Sequence, residues 1–393
     1  MAEYDLAIAG GGMVGASVAL LCLRHNPHWR IALIDPRSGA PEQSRPSFDA
    51  RSTALSAGSM DCLETLGLRA PLEAAAPITR VHVSDRGYLP GQVLSASDFG
   101  RAALGYVVRN DALGRALLGA LDACAGIDVL QDSVALLRFG AEAAQLELAS
   151  GELISARLVV VADGADSPLR ERLGIGVEQS DYQQCAVIAN IRSSLPHQQT
   201  AYERFTDTGP MALLPLADPH ESALVWTLPP ELAAGLCAGS PEAFLGHLQR
   251  RFGHRLGRLR AVSERHAYPL VRREAREQVR SRLVLVGNAA HSLHPVAGQG
   301  FNLSLRDAQI LAKSLSGSVD PGCLSGLEAY CQQRRADQRL TSELTHRMVQ
   351  LFTHKGWSAV TLRHLGLLSL ELVPGASAAF GRQMMGVAEA SYG

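Results

Sequence analysis

The sequence predicts an α/β protein: a Rossmann-like unit, an inserted mixed β-sheet, and a helical segment at the C-terminal end. Three observations carry this. A glycine-rich turn separates a short apolar strand from a helix near the N-terminus. Two later apolar runs of strand length, residues 157–162 and 283–286, each break into a glycine-containing turn. Residues 77–105 and 181–268 have another texture, with short apolar runs such as 223–228 separated by Pro, Gly and Asp, as hairpin sheets require.

Residues 4–9 read as the first buried strand, and Gly10-Gly-Gly-Met-Val-Gly15 follows at once. Residues 13–25 read as a helix that Asn26-Pro27 stops, and residues 30–34 as a second strand with Asp35 at its end. Gly10 allows the tight turn, Gly12 lets the backbone approach a pyrophosphate, and Gly15 lets helix and strand pack closely. The helix start offers unpaired N–H groups and a positive dipole end to phosphates. Asp35 stands 20 residues beyond Gly15, where it can accept from ribose hydroxyls and repel a 2′-phosphate. A dinucleotide other than NADP fits this unit, which does not by itself separate FAD from NAD. A glycine turn with only a packing role is the competing account.

The second apolar run ends in Asp163-Gly-Ala-Asp-Ser-Pro-Leu-Arg170. The third passes through Asn288, His291, His294 and Pro295 to Gly298-Gln299-Gly300, a turn into a helix expected to start near Asn302. Strand, turn and helix N-terminus together make a place for an anion or an electron-rich ring.

These three motifs, in this order, resemble those of the flavoprotein aromatic hydroxylases, the para-hydroxybenzoate hydroxylase-like group. Phe48-Asp-Ala-Arg-Ser-Thr-Ala-Leu55, Tyr106-Val-Val-Arg-Asn-Asp-Ala-Leu113 and Arg204-Phe-Thr-Asp-Thr-Gly-Pro-Met211 resemble its ubiquinone-biosynthesis branch, above all the 2-polyprenyl-6-methoxyphenol hydroxylases. The resemblance implies a Rossmann-like FAD-binding domain over 1–76, 106–180 and 269–340, a mixed-sheet substrate domain over 77–105 and 181–268, and a helical region over 341–393. It implies that Gly10, Gly12, Gly15 and Asp35 hold the ADP half of FAD, and that Arg51 and Arg109 contact the cofactor. Asp163 and Gly164 would lie along the pyrophosphate. Pro295, Gly298, Gln299, Gly300 and Asn302 would border the isoalloxazine ring. Asn288 replaces the family's usual Asp beside the ribityl chain; an amide still donates and accepts there, and the change reads as a mark of this branch.

The implied activity is hydroxylation of the ring of a polyprenylated phenol. NAD(P)H is the transient reductant, O2 the co-substrate, and a flavin C4a-hydroperoxide the carrier of oxygen. Flavin chemistry needs few catalytic side chains. His291 and His294 are candidates for proton transfer, set against a plain role as loop histidines bonded to backbone. A prenyl reductase or halogenase on the same fold, and a non-catalytic flavin-binding scaffold, are the alternatives. The halogenase WxWxIP motif is absent.

Composition bounds these readings. A net charge of −1 and 5% aromatic residues argue against nucleic acid as a partner. Seven cysteines without a CxxC pair argue against metal and disulfide frameworks, and a cytoplasmic site, peripheral to the inner membrane face, is expected. Arg250-Arg-Phe-Gly-His-Arg-Leu-Gly-Arg-Leu-Arg260 reads first as a solvated helix end. Beyond residue 340, Leu362, Leu365, Leu368 and Leu372 form an apolar helical surface. It suits packing on the main body, lipid contact, a homo-oligomer interface or other proteins of the same pathway.

Overall fold

The computed structural model describes residues 2–37, 51–68, 72–86, 91–293, 298–353, 381–383 and 385–386, without the side chains of 348–353. His294, Pro295 and the apolar run from Leu362 to Leu372 lie outside the described residues.

The chain opens with β1 (Ala2–Ala9), α1 (Met13–His25) and β2 (Ile31–Ile34). An excursion follows through β3 (Ser52–Ser56), α2 (Ala57–Thr65), β4 (Ala76–Ile78), β5 (Arg80–Asp85), β6 (Gln92–Ser95) and β7 (Gly105–Arg109). Next come α3 (Asn110–Asp122), β8 (Ile127–Leu130), β9 (Val134–Phe139), β10 (Ala144–Leu148), β11 (Leu153–Val161) and α4 (Pro168–Arg172). The long β12 (Val177–Ser193) leads to β13 (Thr200–Thr206), β14 (Gly209–Pro215), β15 (Glu221–Leu228), α5 (Pro230–Ala238) and α6 (Pro241–Phe252). The remainder is β16 (Leu259–Val262), β17 (His266–Ala275), β18 (Val279–Arg280), β19 (Leu283–Leu285), β20 (His291–Ser292), α7 (Gln299–Ser314) and α8 (Leu324–Thr353).

One sheet has the order β18-β19-β11-β1-β2-β8, with β10 and β9 attached beside β11. Its five central strands are parallel, and their buried stretches, such as residues 6–9, 31–34 and 158–161, are apolar because both faces are covered there. Leu6, Ile8, Leu33, Leu158 and Val160 pack under α1, α3 and α7. Ala7, Ala32, Val159, Leu283 and Leu285 pack with β9, β10 and Leu169 on the other face.

The second sheet has the order β20-β17-β12-β15-β14-β13-β5-β6, with β16 on β12. It is mixed: β13 and β5 run parallel, and its other pairs are antiparallel. One face, with Val187, Leu213, Leu224 and Trp226, packs on α5 and α6. Residues 177–180 and 269–275, grouped by sequence texture with the cofactor domain, pair within this sheet instead. β12 and β17 are single strands that run through the expected boundaries, because backbone pairing does not stop where apolar texture changes. A third sheet, β3-β7-β4, lies between.

α7 begins at Gln299, three residues before the expected start near Asn302. Only Gly298 makes the turn, in the left-handed region at φ 62°. Asn302 lies inside the first turn and is buried. Its Nδ2 donates to the carbonyls of Gly298 and Ala54 at 2.8 and 2.9 Å, and its Oδ1 accepts the Ser56 N–H at 2.9 Å. The residue that looked like a helix start is a bracket between α7 and β3.

The same helix is held from behind by a buried ionic network. Asp307 of α7 is fully buried. It bonds His291 Nε2 at 2.7 Å, Arg334 Nε at 2.6 Å and Gln338 Nε2 at 3.0 Å. Arg334 also pairs with Asp337, which Arg306 Nε reaches at 2.8 Å. Burial alone would raise the carboxyls of Asp307 and Asp337. The partners outweigh it: Asp307 is lowered, and Arg306 and Arg334 hold Asp337 at about 2.

Replacing Asp307 with Ala strands buried His291 and Arg334 without their carboxylate, so urea unfolding of Asp307→Ala should show a loss of about 3–5 kcal/mol. Depressed carboxyls add stability that is present above their unfolded pKa and lost as pH falls through the folded value. The wild-type melting temperature should therefore fall steeply from about pH 4 toward about pH 2, and less steeply in Asp337→Asn.

Candidate functional site

Register brings the three motifs together. Ala9 pairs with Ile34 on one side and Val161 on the other, and Val161 pairs with Leu285. The four parallel strands thus end in one row, and Gly10, Asp35, Asp163 and Gly287 emerge next to it. The chain passes from β1 to β2 on one side and returns to β11 on the other, so this edge is a topological switch point, where open α/β sheets bind ligands.

At the first turn Gly10 has φ 106°, and a Cβ there would lie 2.5 Å from the Ala162 carbonyl oxygen. A Cβ on Gly15 would overlap the Gly10 carbonyl oxygen. Gly11, which the spacing rule passes over, is as constrained. Its N–H donates to Asp35 Oδ2 at 2.7 Å, and a Cβ would lie 2.9 Å from the Asp35 Cβ. Asp35 Oδ1 accepts the Arg37 N–H at 2.7 Å. The carboxylate is thereby fixed at the strand end. Gly12 caps α1 in extended conformation with no side-chain cap, so the first-turn N–H groups await an acceptor.

At the second turn Asp163 Oδ2 accepts the Leu169 N–H at 3.2 Å, while Oδ1 is buried without a hydrogen-bond partner. Desolvation raises its pKa. Gly164 has φ 104° and no protein atom within 4 Å of where a Cβ would stand. Arg170 joins this motif to the third one, donating to the Ala165 and Ala289 carbonyls at 3.0 and 2.9 Å. Sequence reasoning missed Arg170 and Gly11 as site-forming residues; the closing Arg of the second motif was the signal for the first.

At the third turn Gly287 has φ 62°, and Asn288 is exposed at the strand edge. His291 is buried on Asp307, not on backbone as a loop histidine would be. Like α1, α7 starts on a glycine without a side-chain cap or an acidic first turn. A Cβ on Gly298 would lie 3.1 Å from the Ala54 Cβ, whereas one on Gly300 would meet no atom of the described residues within 4 Å beyond its own helix and chain neighbours. Arg51 lies over the Tyr268 ring at 4.9 Å. Arg109, paired with Ser52 across β3 and β7, makes a bidentate bond to Asp111 at 3.0 and 2.8 Å. Arg250 and Arg251 occupy the last turn of α6, with Arg251 over the Trp226 ring at 5.8 Å.

Two glycine-capped helix starts, an unpartnered buried carboxylate oxygen and glycines that open onto space fit a long phosphate-bearing cofactor with a flat ring at one end. Comparison with known proteins agrees. A family model described as FAD binding domain matches residues 3–343. Ubiquinone hydroxylase UbiL of Rhodospirillum rubrum is 35% identical over 389 residues, covering 97% of this chain and 89% of that one. The 3-demethoxyubiquinol 3-hydroxylase of Escherichia coli is 32% identical over 374 residues, covering 93% and 94%. Among solved structures, p-nitrophenol 4-monooxygenase PnpA of Pseudomonas putida shares the fold at TM-score 0.78 with 17% identity, over 99% of both chains. The chain therefore belongs to the FAD binding domain family, in the group with the ubiquinone-biosynthesis hydroxylases, and FAD is its cofactor.

Proposed function

We propose that this chain is an FAD-dependent monooxygenase that hydroxylates the aromatic ring of a polyprenylated phenol in ubiquinone biosynthesis, using NAD(P)H and O2. The observation that carries the reading is the row of strand ends, which brings the three glycine-containing turns to one edge in a chain whose relatives are ubiquinone hydroxylases.

In this reading α1 gives its first N–H groups to the pyrophosphate, and Asp35 accepts from the ribose. Asp163 and Asn288 take the middle of the cofactor. The N-terminus of α7 stabilises negative charge on the ring through N–H groups and its dipole. Bound FAD supplies the redox and oxygen chemistry. The protein orients the substrate ring and keeps water out. His291 holds α7 in place through Asp307 rather than exchanging protons with substrate. No helix among the described residues is long and apolar enough to cross a membrane. A lipophilic substrate would then be met by peripheral contact, for which the apolar segment after residue 353 is the candidate.

Purified protein supplied with NAD(P)H, O2 and a prenylated phenol should yield a product heavier by one oxygen; a product carrying only added hydrogen would establish the reductase alternative. Gly300→Ala tests the ring site. Ala suits a helix better than Gly by up to about 1 kcal/mol, so the melting temperature of flavin-free protein should hold or rise. Flavin affinity should fall about tenfold or more by fluorescence titration, since each 1.4 kcal/mol is a factor of ten. Unchanged affinity would move the ring elsewhere.

A further inference from the structure

Glu203 sits in the middle of β13, and sheet register decides which way it faces. It stands opposite Ala212 of β14 and Val83 of β5. The same row continues through Val225 of β15 and Ile188 of β12 to His266 of β17. A carboxylate is thus set into an apolar row on the face opposite α5 and α6. Two residues along β17, on the same face, Tyr268 meets Arg51 at 4.9 Å. Arg51 adjoins β3, whose Ala54 touches the Gly298 turn and bonds Asn302 at the start of α7. The Glu203 face and the α7 N-terminus therefore border on the same strand.

Strand alternation removes the nearest cation. Arg204 points to the other face, where it donates to the Arg251 carbonyl at 2.8 Å and Ser84 Oγ at 3.2 Å. Among the described residues Glu203 has no hydrogen-bond or ion-pair partner. It is surrounded by protein and only partly exposed. Burial pushes its carboxyl up to about 7. By register the other titratable or charged groups that these strands place on this face are Asp85 of β5, Glu221 of β15, Arg192 of β12, and His266 and Tyr268 of β17; Arg192 pairs with Glu221 at 2.9 Å, and Arg51 lies over the Tyr268 ring. On α8, which packs on β14, His346 is bonded to Tyr182 at 3.0 Å.

We propose that Glu203 is a catalytic residue: it accepts the hydroxyl proton of the phenolic substrate, whose ring lies along this apolar face. This rests on the hydroxylase reading above. The phenol O–H bond breaks, its proton passes to a carboxylate oxygen, and the electron pair stays on the phenolic oxygen, enriching the ring carbons ortho and para to it. Nothing is oxidised in this step. Once the ring is oxygenated, the displaced ring hydrogen leaves as a proton that is taken up in the water formed from the other atom of O2, aromaticity returns, and Glu203 gives its proton back to the phenolic oxygen. A base that titrates near working pH serves such a transfer best, and an apolar wall with one acceptor also dictates where the hydroxyl points.

The test uses flavin-loaded wild type, Glu203→Gln and Glu203→Asp with NAD(P)H, O2 and a prenylated phenol. Flavin absorbance checks the fold. Gln should lower product formation about 100-fold or more and lower the product formed per NAD(P)H oxidised. Wild-type product formation should rise through about pH 7. Gln should abolish that inflection, and Asp should displace it. The raised carboxyl also makes a stability signature. Its folded pKa exceeds the unfolded one, so wild type should lose melting temperature relative to Gln as pH rises through about 7. Gln that forms product at the wild-type rate with the same pH profile overturns the assignment alone. Should Gln lose its flavin, an unmoved inflection in Asp overturns it. A wild type that oxygenates no prenylated phenol overturns the hydroxylase reading, and the role of Glu203 with it.

Discussion

Asp307 is the point on which the site's geometry hangs. It lies inside α7 with no exposed surface, and its two oxygens are divided among three groups from two parts of the chain. His291 comes from the strand edge that leads to the α7 turn, and Arg334 and Gln338 come from α8. A buried ion pair is weak evidence of net stability, because desolvation offsets much of the attraction. Its stronger effect is on orientation. α7 is tied to the third motif and to α8 at one residue, and through Arg306 to Asp337 one residue earlier. With Asn302 bracketed to β3 at the other end, rotation of α7 would break bonds at both places. The direction of its first N–H groups follows from those two anchors.

The rest of the edge answers to backbone contact. Gly10 and Gly15 are glycines because a neighbouring carbonyl occupies the space of a side chain, and Gly11 because Asp35 does. Gly300 differs: among the described residues no atom outside its own helix and chain neighbours stands within 4 Å of where its Cβ would be. Some glycines therefore shape the fold, while another leaves room, and spacing alone treats them alike. The nine-stranded sheet divides its faces in a similar way. One face is filled by Trp226, Leu213 and the helices behind them; the other carries small and branched side chains with a single carboxylate in the row.

Much of this was legible in the sequence. β1, α1 and β2 follow from apolar runs and glycine spacing within the first 35 residues, where structure is local. The later strands were legible for the same reason. Three things were not. The α7 start was misplaced because Asn302 looks like a cap, and only its bonds to Ala54 and Ser56, hundreds of positions away, show it to be a bracket. The Asp307 network joins residues 16–31 apart whose types are common on any helix surface. Glu203 was hidden inside Arg-Phe-Thr's strand, since alternation assigns a face only once the register across four strands is known. β12 and β17 also run past positions 180 and 268, since texture reports which side chains are apolar and pairing decides which sheet they join.

Asn288 can be understood from its surroundings. Asp35 and Asp163 already place two carboxylates along the row of strand ends. Asp35 is satisfied by the N–H groups of Gly11 and Arg37, but Asp163 is buried with one oxygen unpartnered, and desolvation already disfavours its charge. Arg170, the cation nearest to both turns, spends its donors on carbonyls of Ala165 and Ala289. A third carboxylate on the adjacent strand end would add to the like-charge repulsion there. An amide keeps a donor and an acceptor at the edge without that charge. The departure from Asp at this position therefore accords with the electrostatics of the edge itself.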